Sequence, residues 1–228
     1  MNTHDKSELP FYLINLDRSP DRLAMATAEF ERIGQAFTRI AGIDGADVPP
    51  EYADWVSQEL AVQQGNLRMI PGKIGCHLSH LKTAQAFLDS GAEAAVVCED
   101  DVRFAPDFLP VLGEALEAAS DWDLLKLSCV TWHFTVERAR LPCGARLVEF
   151  VRVPGGAACY AISRRGAAKL LRHSRPIVMP FDRSLQRLWV YDLVVLGLDR
   201  YLAAGRSDIP SMITGPVDQD WWQDEKQR

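Results

Sequence analysis

The stretch Ala94-Ala95-Val96-Val97-Cys98-Glu99-Asp100-Asp101 constrains this chain more than any other, because five small apolar residues run directly into three acids. A wholly apolar run of that length reads as a strand covered on both faces. Unpaired carboxylates are costly in such surroundings, so the acids must emerge where something compensates them. In open α/β sheets ligands bind at the carboxyl ends of the strands. Two carboxylates placed there suit a hard cation, Mn²⁺ or Mg²⁺, carrying substrate phosphates. Alternation puts Glu99 and Asp101 on one side of the chain and Asp100 on the other. Asp101 is then expected to ligate the metal directly, with Glu99 nearer a ribose or a metal-bound water. Taken alone, the same triplet also fits a solvated acidic turn before a helix.

Strands and helices alternate for most of the 228 residues. Residues 11–16 form the first apolar run. Ser19-Pro20-Asp21 then signals a helix start, and that helix is expected over 20–33 with Gly34 as its stop. Residues 37–40 read as a second strand, 49–64 as partly helical and 65–72 as a loop. Ile74, Leu78, Leu81 and Leu88 recur at helical spacing, ending at Gly91. A helix from Pro106 to about Ser120 and a strand at 123–127 follow. Two strands lie within 146–163, divided by Pro154-Gly155-Gly156. Ser163 caps a short basic helix, and a last helix is expected over 181–196. The economical architecture is α/β, with a mostly parallel central sheet covered by helices on both faces. One domain spans 1–213, followed by a polar tail, 214–228, that carries Trp221-Trp222.

Composition narrows the function. A net charge of −6 disfavours a dedicated nucleic-acid binder, yet permits a nucleotide whose phosphates a cation neutralises. The five cysteines include no C-x-x-C pair, so neither a zinc ribbon nor a disulfide framework is indicated. The polar first ten residues and the lack of a run of ~20 apolar residues point to a cytoplasmic protein. The basic stretch Arg164, Arg165, Lys169, Arg172, His173 and Arg175 fits either a solvated helix face or peripheral contact with the inner membrane leaflet.

Three further motifs carry candidate chemistry. Asn15-Leu16-Asp17-Arg18-Ser19-Pro20-Asp21-Arg22 joins the first strand to the first helix, where amides and dipole favour anions. Arg18 and Arg22 are placed to clamp a diphosphate, or to pair with Asp17 and Asp21 on the surface. In Gly72-Lys73-Ile74-Gly75-Cys76-His77-Leu78-Ser79-His80, the glycines allow close backbone approach to a ligand. His77 and His80 have no third metal-ligating partner at suggestive spacing, so packing or support is the default for them. In Pro180-Phe181-Asp182 the acid either caps the last helix or serves as a general base. His133, Asp100 and Asp192 are alternatives for that base.

In this order, these motifs resemble glycosyltransferase family 25, which includes bacterial lipooligosaccharide galactosyltransferases and collagen galactosyltransferases. Ala41-Gly42-Ile43-Asp44-Gly45 and Gly156-Ala157-Ala158-Cys159-Tyr160-Ala161-Ile162-Ser163 complete the series. Lys73 and His77 depart from it, standing where an acid and a small residue are frequent. The resemblance implies a GT-A-like nucleotide-sugar fold, a UDP-sugar donor (often UDP-galactose), Mn²⁺ dependence and inversion at the anomeric carbon. It assigns donor binding to Asn15, Asp17, Arg18, Arg22, Asp44, Gly75, Glu99 and Asp100. It places the metal at Glu99 and Asp101 and puts Asp182, a carboxylate, near the reaction centre, where it is the first choice for general base. The expected acceptor is a saccharide, free or lipid-linked, in surface-glycan synthesis. A metal-dependent phosphoesterase and a non-catalytic sugar-nucleotide-binding domain are the rival readings.

Overall fold

A computed structural model of the protein describes residues 9–129 and 134–206. His133, the 214–228 tail and Trp221-Trp222 lie outside the described residues. Strand β1 (Phe11–Asn15) is buried throughout and leads to helix α1 (Pro20–Arg32). Pro20 opens this helix as expected. The Ser19 side chain makes no cap bond; the turn is fixed instead by the Asn15 amide donating to the Ser19 carbonyl at 3.1 Å.

The chain continues through β2 (Thr38–Ala41), a 3₁₀ turn (Pro50–Trp55), α2 (Gln58–Gln63) and α3 (Pro71–Ser90). Gly91, at φ 78°, ends α3 in the left-handed conformation that glycine adopts without strain. Next come β3 (Ala94–Glu99), β4 (Val102–Phe104), α4 (Phe108–Ala118), β5 (Leu124–Lys126), β6 (Thr135–Arg140), β7 (Arg146–Phe150) and β8 (Cys159–Ser163). Helix α5 (Arg164–His173) is capped by the Ser163 hydroxyl, which accepts from the Gly166 amide at 3.0 Å. Helices α6 (Phe181–Leu185) and α7 (Leu188–Tyr191) and strands β9 (Val195–Leu198) and β10 (Ala203–Gly205) complete the described chain.

The eight-stranded sheet has the order β2-β1-β3-β8-β5-β9-β7-β6. Strands β1, β2, β3, β5, β9 and β6 run one way and β8 and β7 the other, so the sheet is mostly parallel in strand direction. Alternation along each strand sorts side chains into two cores. Tyr12, Ile14, Val97, Tyr160 and Ile162 pack on the α3 and α5 side with Leu78, Leu81 and Leu170. Phe11, Leu13, Val96, Cys98 and Cys159 pack on the α1 and α4 side with Phe30, Phe108 and Leu112. A sheet buried this way demands continuous apolar strands, as Phe11 to Ile14 and Ala95 to Cys98 supply.

One expected element is corrected. Residues 181–196 are not one helix: two short helices give way at Asp192, which has φ 51°, and Leu196 belongs to β9. Strand β9 fills the gap between β5 and β7, and this tertiary demand overrides the apparent helical spacing. Strands β4, β6 and β10 were not anticipated. β4 and β10 are three residues each, and β6 is a largely exposed edge with no apolar alternation to announce it.

Candidate functional site

Strands β1, β3 and β5 end along one edge of the sheet, and a cleft opens there. Its walls include Asn15, Arg18, Arg22, Asp44, Gly72, Cys76, His80, Glu99, Asp100 and Asp101. The floor is set by a backbone crossing between the loop at Gly42 to Gly45 and the first turns of α3. A Cβ on Gly45 would lie 1.7 Å from the Pro71 carbonyl oxygen, and one on Gly75 2.3 Å from that of Ile43. Ser79 secures the crossing by accepting from the Ile43 amide at 2.8 Å. Gly75 was expected to admit a ligand; it admits the Gly45 loop instead, and so shapes the cleft from beneath.

Alternation separates the three acids as expected for two of them. Glu99 points to the α3 side, where its Oε1 lies 3.2 Å from His80 Nε2. Asp100 points to the α1 side and is saturated there. The Asn15 amide donates to its Oδ2 at 2.8 Å, and Arg22 Nε donates to its Oδ1 at 2.7 Å. Asp100 therefore anchors the acidic turn and leaves little to offer a ligand. Asp101, at the turn itself, faces both sides: its Oδ2 is 3.3 Å from Arg22, and its Oδ1 is buried without a hydrogen-bond partner. Burial, followed by repulsion from Glu99, pushes the Asp101 carboxyl up to about 7 against the pull of Arg22. The same burial lowers the Arg22 guanidinium, but its bonds and charge contact with Asp100 prevail and raise it overall.

A divalent cation fits this arrangement. It needs hard oxygen donors, and Asp101 presents a buried carboxylate oxygen with no other use, beside a second carboxylate on Glu99. Segment 203–206 closes over this point, with the Arg206 amide donating to the Asp101 carbonyl at 2.7 Å. That approach, made by β10 pairing with β4, had no signal in the sequence.

The remaining predicted residues divide. Arg18 pairs with Asp44 across the rim, rather than with Asp17 or Asp21. Asp17 is exposed, pairs with Arg39 and does not line the cleft. Arg39 also donates to the Asn15 side chain at 3.1 Å, so Asp17 acts at one remove. Asp182 is outside the cleft walls too, at the start of α6, where its Oδ2 accepts from the Gly156 amide at 3.1 Å. Its charge is still felt by Cys76 in the cleft and by Lys126. Asp192 lies with Lys169, away from this edge.

Lys126 is the functional candidate that motif reading missed. It ends β5 fully buried and donates to the Gly156 carbonyl, so one glycine residue is held by Asp182 at its amide and by Lys126 at its oxygen. Desolvation lowers its ammonium to about 8 while Cys129, Asp182 and Glu99 oppose the shift, which leaves it charged at neutral pH. A lysine closing an apolar run was the available signal, since lysine is almost never fully buried unless paired. His77 is a packing residue: its Nδ1 lies 2.9 Å from the Met179 carbonyl, and burial holds its value down to about 4, so the ring is neutral.

The basic stretch near α5 is largely engaged within the chain. Arg165 and Lys169 pair with Asp123, Arg164 donates to the Leu88 carbonyl, and Arg175 stacks on Trp55. That arrangement favours a structural role over a lipid-facing one. No described helix is long and apolar enough to cross a membrane.

The chain is similar to several known proteins. A "Glycosyltransferase 25 family member" of Aedes aegypti is 29% identical over 191 residues, covering 76% of this chain and 30% of that protein. Procollagen galactosyltransferase 1 of Danio rerio is 32% identical over 120 residues, covering 50% of this chain and 20% of its own length. The human "Inactive glycosyltransferase 25 family member 3" is 25% identical over 245 residues, covering 93% and 38% respectively. The chain thus spans between a fifth and two fifths of the length of these relatives. The family model described as "Glycosyltransferase family 25 (LPS biosynthesis protein)" matches residues 8–185, from the strand before Asn15 through the acidic turn to Asp182. With most of its length and all of these site residues inside that match, the chain belongs to glycosyltransferase family 25.

Proposed function

We propose that this protein transfers a hexose, galactose first among the candidates, from a UDP-sugar to a saccharide hydroxyl, with inversion and with the help of Mn²⁺ or Mg²⁺. The observation that carries the reading is the division of labour in the acidic turn. Asp100 is consumed by Asn15 and Arg22, while Asp101 keeps a buried oxygen unpartnered beside Glu99 in the cleft. Asp101 and Glu99 would hold the cation, which supplies positive charge to the diphosphate as UDP departs. The chain's own residues do the rest. Arg22 keeps the turn rigid and adds a fixed positive charge, and Arg18 with Asp44 closes the rim. Asp182, whose carboxylate accepts from the Gly156 amide, is assigned to take the proton from the acceptor hydroxyl. A lipopolysaccharide or other surface glycan is the proposed setting.

The test is UDP release from a panel of UDP-sugars in Mn²⁺, with and without saccharide acceptors. Release that requires both metal and acceptor supports transfer. Release without acceptor would favour the phosphoesterase reading. Metal-dependent UDP binding with no transfer to any acceptor would favour a non-catalytic domain, a reading that the human relative's name keeps in play.

A further inference from the structure

The cleft contains two donor residues, Cys76 and His80, that the proposed transfer leaves idle. Cys76, His80 and Glu99 each offer one ligand atom, and the three atoms all lie within 4.8 Å of one another. Helix α3 brings the first two together, since residues four apart share a face. Strand β3 delivers Glu99 opposite them, with its Oε1 3.2 Å from His80 Nε2.

The imidazole is also supported as metal-binding histidines are, through its other nitrogen. His80 Nδ1 lies 3.0 Å from the Tyr160 hydroxyl, and the ring lies flat on Phe181 at 4.1 Å and 6°. When an ion takes Nε2, Nδ1–H donates to the Tyr160 oxygen and the Nε2 lone pair is left for the metal. His77 is not among the residues whose ligand atoms converge here.

Ligand chemistry separates this set from the acidic turn. Carboxylates alone suit Mn²⁺ and Mg²⁺, whereas a thiolate, an imidazole and one carboxylate suit Zn²⁺, with a fourth position left for water. All three residues line the cleft, so an ion has an entry path.

We propose that Cys76, His80 and Glu99 form a zinc site in the cleft wall that shares Glu99 with the hard-cation site. Binding releases the Cys76 thiol proton to solvent and forms the Zn–S, Zn–N and Zn–O bonds. Under the transferase reading, on which this one consequence rests, zinc withdraws Glu99 from the donor's metal and inhibits transfer.

The experiment uses Co²⁺ as the probe, added to the whole protein without donor or acceptor. The expected result is a sulfur-to-cobalt charge-transfer absorption that equimolar Zn²⁺ abolishes and equimolar Mn²⁺ does not. Cys76→Ser, which keeps the size and the fold, removes the band. In competition measurements, Zn²⁺ affinity falls more than about 10-fold in that variant and in His80→Gln. Thermal melting of both variants confirms that they are folded. Absence of the band in the wild-type protein overturns the proposal, as does a band that survives Cys76→Ser and so reports Cys129 or Cys143. Because the readout needs no sugar nucleotide, loss of the transferase reading leaves this outcome untouched, and the reverse also holds.

Discussion

On one side of the cleft, Asn15, Arg22, Asp100 and Asp101 come from two compact stretches of chain and bond one another directly. Beyond the cleft walls, Lys126, Gly156 and Asp182 come from three separated segments and meet at the backbone of one glycine. The first side pairs opposite charges and leaves a single carboxylate oxygen over. The second buries one lysine and uses it, with an aspartate, to pin a loop. A charge network of the first kind tolerates a cation arriving and leaving, because Arg22 and Asp100 hold the turn without it. Gly156 is held at both its amide and its carbonyl by charged side chains, so loss of either partner strands a buried or half-buried charge on the other side.

Breaking the second side should give the largest effect. Asp182→Asn is expected to lower transfer by up to about 10⁴-fold with little change in donor binding, as removal of a general base would. Steady-state kinetics with donor and acceptor varied separately check this, and full turnover in the variant removes Asp182 from the reaction. On the first side, Asp101→Asn should cost about 10²–10³-fold in metal-supported transfer. Its metal-free melting temperature near pH 8 should not fall, because a strained buried carboxylate has been replaced by a neutral isostere. A fall would mean that Asp101 is structural, like Asp100.

Arg22→Ala sharpens the contrast between the neighbouring acids. It leaves Asp100 buried without its cation and is expected to cost roughly 3 kcal/mol of folding stability, measured by denaturant unfolding. The smallest effect concerns pH. Asp101 has a raised value in the folded protein, so the folded state holds this proton more tightly than the unfolded chain. Its contribution to metal-free stability is therefore full below the usual carboxylate value and is lost as pH rises toward about 7. Mn²⁺ competes with that proton, so its thermal shift should be larger near pH 8 than near pH 5.5. Equal shifts at the two values would place the cation elsewhere.

Much of this was legible from residues alone. The apolar run into three acids located the cleft edge, and alternation separated Glu99 from Asp100 as the two cores now show. The cap at Ser163 and the stop at Gly91 were readable because each is a local hydrogen-bond or backbone demand. Where the reading failed, distant chain decided. Residues 181–196 carry leucines at helical spacing, yet the sheet needed a strand there. Gly75 was rightly singled out for close approach, but what approaches is the Gly45 loop.

By itself, then, the sequence determined the family, the layered α/β class and the place where negative charge collects, since strand burial, helix punctuation and the acidic triplet are properties of contiguous residues. Only the tertiary structure decided which acid is spent and which is spare, that Lys126 and Asp182 hold the same glycine, and that Cys76 and His80 find their third partner in Glu99. Such pairings are set by how helix α3 and strands β3, β5 and β8 pack, and no spacing along a single chain encodes a distance across a sheet.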